Sequence, residues 1–368
     1  MNRLVECDRT LLVLAISLTG LGVVMVYSAS SIMAAREYAD GLYYLKKQAL
    51  FAGGGICAML LLALCDYTVW RRVAVAGLFL CAGLLLLVFV PGVGVGAGGA
   101  TRWLRVAGFT LQPAEFAKIG LVLYLAHSLA KKKTKIRSFK VGLIPYILVL
   151  SGLLAIVLKQ PDFGSAVTMG VVACSMLFVA GTRWAHVISL ALVCLPFVYF
   201  AIVNVEYRMK RIMAFLNPWD DPTNSGFQII QSWTAVGTGG WVGRGLGASK
   251  QKLFFLPEAH TDFIFAVLGE ELGFVGVLVV TAMFLLLILR GMRIALSVQD
   301  DFGRNLAFGL SFLLGLQVLV NIAVVLGLLP TKGLALPFLS YGGSNLLCTL
   351  MAVGLLLSIS RRVQGEAV

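Results

Sequence analysis

Long apolar runs alternate with short polar connections along almost the whole chain. Ten runs approach the roughly 20 mostly apolar residues that a bilayer-spanning helix needs: 11–29, 45–64, 73–91, 113–130, 141–158, 164–182, 185–205, 262–289, 305–328 and 344–360. Glu115 and Lys118 interrupt the start of the fourth. The pattern predicts an all-α integral membrane protein with about ten transmembrane helices, forming a single polytopic domain over 1–368. One connection, 206–261, is long, polar and Gly-rich. No repeat with a period of 20–50 residues is visible.

Composition agrees with this pattern. Of 368 residues, 59% are hydrophobic and 13% are charged, against about 25% charged in soluble domains. The net charge of +13 does not form a patch for nucleic acid, because the basic residues lie in short clusters between apolar runs. Arg3, Arg9, Arg71, Arg72, "KKKTKIRSFK" (131–140), Arg183, Arg290, Arg293, Arg304, Arg361 and Arg362 fall on one side of the expected topology. The positive-inside rule makes that side cytoplasmic. An even number of spans puts both termini there and leaves 206–261 as an extracytoplasmic loop. The seven cysteines show no metal or redox spacing and read as small buried apolar residues. The first run is too long for a signal-peptide core and is expected to stay as the first helix.

The polar chemistry collects on the opposite, outer side. There "QPAEFAK" (112–118) places Glu115 and Lys118 three residues apart on one helix face. They read either as a structural ion pair or as a polar wall of a substrate cavity, since charges inside a membrane mark functional sites. "GATRWLR" (99–105) sets Arg102 and Arg105 beside Trp103, an interfacial anchor or a phosphate-binding group. "KQPDFGS" (159–165) supplies Lys159 and Asp162, and "YRMKRIMAFLNPWDDP" (207–222) suggests an amphipathic surface helix carrying Arg208, Lys210 and Arg211. "GTGGWVGRGLGASKQK" (237–252) reads as a mobile Gly-rich loop or as a backbone anion nest supported by Arg244, Lys250 and Lys252.

The segment "LFFLPEAHTDFIFAVLGEELGF" (253–274) carries Glu258, His260, Asp262, Glu270 and Glu271 within an apolar run. Pro257 is expected to start a helix, with Glu258 and Asp262 one turn apart and Glu271 pointing away from Glu270. Asp262 suits a general base at the water–lipid boundary, where partial burial raises a carboxyl pKa and nearby cations oppose the rise. The sequence names no resident cofactor. A divalent cation, Mg²⁺ or Mn²⁺, held by Glu258, His260 and Asp262 remains open, although the spacing matches no standard ligand motif.

The motifs "GATRWLR", "LQPAEFAK", "FLNPWDDP", "GRGLGASKQKLFFLPEAHTDFIFAVLGEELG" and "LPTKGLALPFLSYGG" occur in this order along the chain. Together they resemble the SEDS family of polytopic membrane proteins, named for shape, elongation, division and sporulation. "GFQIIQS" (226–232) and Lys332 resemble its division members more than its elongation members, while Asn345 stands where Ser or Thr is usual. The resemblance implies a peptidoglycan glycosyltransferase that polymerises lipid II at the outer face of the bacterial cytoplasmic (inner) membrane. It further implies work at the division septum beside a class B penicillin-binding protein and other division proteins. It makes Asp262 the essential residue and Glu115 and Lys118 cavity residues.

In that reaction a sugar hydroxyl displaces undecaprenyl pyrophosphate with inversion. A good leaving group needs cations rather than a second carboxylic acid. Arg102, Lys159, Arg208, Arg244, Lys250 and Lys332 are then the candidate pyrophosphate partners. The rival readings are a lipid II flippase, an elongation-type polymerase and a recruiting scaffold without chemistry.

Overall fold

A computed structural model describes residues 7–97, 100–106, 108–253 and 255–365. Each of the ten apolar runs corresponds to a helix. Seven precede the long loop: α1 (Arg9–Tyr38), α2 (Tyr43–Leu64), α3 (Thr68–Leu87), α4 (Pro113–Lys132), α5 (Ile144–Lys159), α6 (Phe163–Val179) and α7 (Trp184–Val203). The loop itself contains α8 (Glu206–Leu216) and α9 (Phe227–Gly239), and α10 (Ile264–Ser297), α11 (Asp301–Val325) and α12 (Gly343–Gly365) follow. Among the described residues, seven helices are long and apolar enough to cross a membrane: α1, α2, α3, α5 with the π-type turn before it, α10, α11 and α12. α6 is apolar but has only 17 residues, and α4 carries the Glu115 and Lys118 charges.

Local sequence sets the helix starts. Asp8, Asp162 and Asp300 each precede an apolar run and accept a hydrogen bond from the backbone N–H three residues on, at 2.9, 3.0 and 2.9 Å. Pro113 sits in the first turn of α4, where its missing N–H costs nothing. α2 packs on α12, α10 on α11, and α4 on both α3 and α11. Small residues allow the close approaches: a Cβ at Gly55 would fall 2.5 Å from Leu350 Cδ1, and one at Gly354 would fall 2.6 Å from the Met59 carbonyl oxygen. Outside the bundle core, Leu192, Leu195, Tyr199 and Phe200 of α7 stay about 60% exposed, as expected of side chains that face lipid.

Beside the helical bundle lies one short sheet that the apolar pattern does not predict. The Gly-rich stretch after α3 forms a three-stranded antiparallel sheet in the order β1 (Gly94–Ala97), β2 (Ala100–Val106), β3 (Phe109–Leu111). Val106 pairs with Phe109, and Gly108 just before Phe109 has φ +84°, a conformation that glycine supplies at hairpin connections. Trp103, Leu104 and the β-branched residues around them favour strands over helix. The sheet carries Arg102 to the end of the bundle at which α4 and α6 begin.

α10 is continuous in outline but broken at Gly273, which has φ +67° and ψ −168°. A side chain there would collide with the backbone of Trp241–Gly243. The chain 240–245 lies against this break, with Arg244 N–H donating to the Glu270 carbonyl and Phe274 N–H to the Gly240 carbonyl, at 3.0 and 2.9 Å.

Candidate functional site

Pro257 does not start a helix. Residues from Leu256 to Phe263 form successive turns, Glu258 has φ +56°, and α10 begins at Ile264. The carbonyls that a helix would use internally are taken by other elements. His260 O accepts from Tyr341 N–H at 2.9 Å, Thr261 O from the Ser340 hydroxyl at 2.5 Å, and Asp262 O from the Asn321 side-chain amide at 2.9 Å. Asn321 also donates to Leu334 O at 2.7 Å, so one buried amide ties the turn of Asp262 to the segment 332–334. Glu258 and Asp262 therefore do not share a helix face.

Asp262 lies just before the spanning part of α10, half-buried among loops. A Cβ on Gly333 would come within 3.1 Å of its Oδ2, so glycine there keeps the chain close beside the carboxylate. Burial and the Glu258 charge push the Asp262 carboxyl up to about 7, against the opposing charges of Arg211 and Arg102. At neutral pH this is the range in which a carboxylate can both take and release a proton.

Several predicted cations gather on this side. The Arg102 guanidinium donates to the Pro161 and Gln160 carbonyls at 2.6 and 3.3 Å, which holds it near Asp262. Lys332 is half-buried, with Nζ 5.3 Å from the centre of the Phe163 ring. Its burial pulls its pKa down to about 8, with Asp162 opposing the fall. Arg208 stacks over the same ring at 5.1 Å and donates to Ala201 O at 2.6 Å. Lys159 is exposed, 5.5 Å from the centre of the Phe89 ring.

The Glu115–Lys118 pair forms as the spacing predicts, at 2.7 Å, with both side chains buried. Asn345 donates to the other Glu115 oxygen at 3.3 Å, and Ser344 accepts from Gln112 N–H at 2.8 Å. The unusual Asn345 therefore joins the N-termini of α12 and α4. Lys118 lies close enough to act electrostatically on Lys332.

Arg244 and Lys250 belong elsewhere. Glu270 and Glu271 are both fully buried, and neither points away from the protein. Glu270 accepts from Lys250 N–H at 3.0 Å, Gln251 N–H at 3.3 Å, Arg244 at 3.4 Å and the Ser249 hydroxyl. Glu271 accepts from Ser28 at 2.7 Å and from Lys252 at 3.0 Å. The Gly-rich segment does make an anion nest, but its anion is the chain's own Glu270. These contacts lie about two helical turns beyond Asp262 and do not bring Arg244 or Lys250 to it.

The Glu258, His260, Asp262 trio does not converge on a cation. His260 is buried between Tyr44 and Tyr341, with ring centres 4.8 and 5.7 Å away, and burial lowers its pKa. Glu258 is exposed and accepts from the Thr261 hydroxyl at 2.8 Å. Among the described residues, no group of three or more His, Cys, Asp and Glu could hold a metal ion.

Four contributors were not among the sequence candidates for the site: Arg211, Asn321, Gly333 and Asn345. Arg211 donates to Thr331 O at 3.2 Å and its charge reaches Asp262. Its position three residues after Arg208 on an amphipathic helix was the available signal. Asn321 lies inside an apolar run and gave none beyond being polar there.

A half-buried carboxylate among cations, at one end of a helical bundle with lipid-facing sides, defines a multi-pass membrane protein with a polar site at the membrane boundary. Residues 9–365 match the family of cell cycle proteins that comprises FtsW, RodA and SpoVE, and the chain belongs to that family. It is FtsW-like. It is 59% identical over 358 residues to a protein of Geobacter metallireducens named "Probable peptidoglycan glycosyltransferase FtsW", covering 97% of this chain and 96% of that one. It is 45% identical over 354 residues to the stage V sporulation protein E of Bacillus subtilis, covering 96% and 97%.

Among solved structures, a chain from work on "Structural coordination of polymerization and crosslinking by a peptidoglycan synthase complex" superposes with a TM-score of 0.79. It is 31% identical, over 97% of this chain and 98% of that chain. The rod shape determining protein RodA of Thermus thermophilus gives a TM-score of 0.70 at 29% identity, over 96% and 97%.

Proposed function

We propose that this protein is a peptidoglycan glycosyltransferase that polymerises lipid II at the outer face of the cytoplasmic membrane during cell division. The observation that carries the mechanism is Asp262, a carboxyl near neutral pKa within electrostatic reach of Arg102 and Arg211, with Gly333 beside its Oδ2. The names of the FtsW relatives support the reaction class.

In this reading Asp262 takes the proton of the acceptor sugar hydroxyl as that oxygen attacks the donor anomeric carbon. The bond from that carbon to undecaprenyl pyrophosphate breaks, with inversion. Arg102, Arg208 and Lys332, with Arg211, neutralise the charge that develops on the pyrophosphate, and Lys159 lies near enough to the rim to guide it in. Glu115 and Lys118 form a polar wall fixed by Asn345. Arg244 and Lys250 are assigned to holding the loop on α10 instead. Both substrates are lipid-anchored, which explains why the acid–base group sits where the chain leaves the membrane.

The likeness to a chain from a peptidoglycan synthase complex supports a synthase partner, which this reading takes to be a class B penicillin-binding protein at the septum. The test is reconstitution of the chain with that partner in the presence of purified lipid II. Gel-resolved glycan supports the assignment. Lipid II exchange between leaflets without glycan would instead make the protein a transporter.

A further inference from the structure

α4 runs about 30 Å, and Glu115 and Lys118 lie in its first two turns. At its other end, between α3, α4 and the turns that precede α5, lies a cavity of about 680 Å³. Lys131, Lys132, Lys133 and Lys135 line it, and no acidic residue does. Lys132 is engaged with the Val141 carbonyl at 3.0 Å and lies 4.4 Å from the centre of the Tyr146 ring. Lys133 pairs with Asp301 at 3.2 Å. Lys131 and Lys135 have no carboxylate partner among the described residues.

Membrane orientation alone asks only for positive charge in a loop. It does not ask for a recess between α3, α4 and the following turns, nor for neutral hydrogen-bonding groups within it. Here the lining adds His127, Ser128 and Tyr124 from successive turns of α4. His127 Nδ1 is buried without a hydrogen-bond partner, and Arg71 of α3 lies near enough to act on that ring. Val75 and Val141 supply apolar wall. Unpaired ammonium groups, an unsatisfied imidazole nitrogen and an adjoining apolar surface suit a phosphate attached to a hydrocarbon tail. Basic pockets between transmembrane helices on the cytoplasmic side hold lipid headgroups in this manner.

We propose that this cavity is a binding site for the phosphate headgroup of an anionic phospholipid from the leaflet on the basic side. Lys131 and Lys135 meet the phosphate, His127 and Ser128 complete its hydrogen bonds, and an acyl chain runs along Val75 and Val141.

Native mass spectrometry of the purified full chain tests this with three probes: dioctanoyl phosphatidylglycerol, dioctanoyl phosphatidylcholine and glycerol 3-phosphate. The expected result is a saturable phosphatidylglycerol adduct at concentrations where phosphatidylcholine gives none. A Lys131→Gln/Lys135→Gln variant loses about 25-fold in affinity, at about fivefold per lysine, and His127→Phe weakens the same adduct. Lys140→Gln, in the same segment but outside the cavity lining, leaves it unchanged. An unaltered thermal unfolding midpoint for each variant shows that the fold is intact. Equal binding of the two lipids, or equal loss in Lys140→Gln, would overturn the site. Displacement of the lipid by glycerol 3-phosphate at matching concentration would overturn the lipid as its ligand and leave a soluble phosphate ester in its place.

Discussion

The side-chain amide of Asn321, deep in α11, donates to the backbone carbonyl of Asp262 at 2.9 Å. Through its second hydrogen bond, to Leu334 O, it ties Asp262 to the segment that carries Lys332. Asn321→Leu keeps the branched shape of the side chain and removes both bonds, at a cost of about 1–3 kcal/mol in stability. Misplacement of a reacting group by about 1 Å can cost about 10²-fold in rate. Glycan formation by Asn321→Leu is therefore expected to fall by one to two orders of magnitude in protein that still unfolds cooperatively. A loss of stability with unchanged turnover would limit Asn321 to a packing role.

Asp262 near 7 and Lys332 near 8 predict a narrow bell for kcat/KM against pH. The rate rises through about pH 7 as Asp262 loses its proton and becomes a base. It falls above about pH 8 as Lys332 loses the charge that the proposed mechanism sets against the pyrophosphate. The two limbs describe the coupled site rather than isolated residues. Lys332→Arg, which stays charged throughout, removes the alkaline limb and leaves the acid limb in place.

Arg211 opposes the rise in the Asp262 pKa. Arg211→Gln removes that opposition, so the acid limb moves to higher pH by about half to one unit. Turnover at pH 6.5 drops more than at pH 8. The kcat/KM profile of the variant, measured beside wild type, checks the direction. A downward shift would contradict the placement of the α8 charges.

Glu115 and Lys118 make a buried pair, so loss of either partner strands a charge. Glu115→Gln and Lys118→Met are each expected to destabilise by about 3–5 kcal/mol, while the double variant costs less than the sum of the two. Chemical denaturation of all four proteins gives the cycle directly. Additive single effects would show that the two side chains do not depend on one another.

The helices were legible because an apolar run of about 20 residues has few alternatives in a membrane. The Glu115–Lys118 pair was legible because a spacing of three on a helix brings side chains together. The sheet around Arg102 was obscured by glycines, which weaken strand patterning. The start of α10 was misplaced because Pro257 is a helix-start signal, yet the carbonyls of His260, Thr261 and Asp262 bond to Tyr341, Ser340 and Asn321. These partners are 59 to 81 residues away in sequence, and no local pattern shows them. The same limit separated Arg244 and Lys250 from the Asp262 site: sequence counted their charges, but the buried Glu270 takes up the Arg244 guanidinium and the Lys250 N–H.

Asp262→Asn preserves shape and removes the base, so glycan synthesis from purified lipid II by wild type and variant, each bound to the partner synthase, tests the mechanism most directly. The mechanism predicts polymer from the wild-type complex and none above background from the variant, with the variant folded and still bound to its partner. Equal polymer from both would contradict it and remove Asp262 from the chemistry.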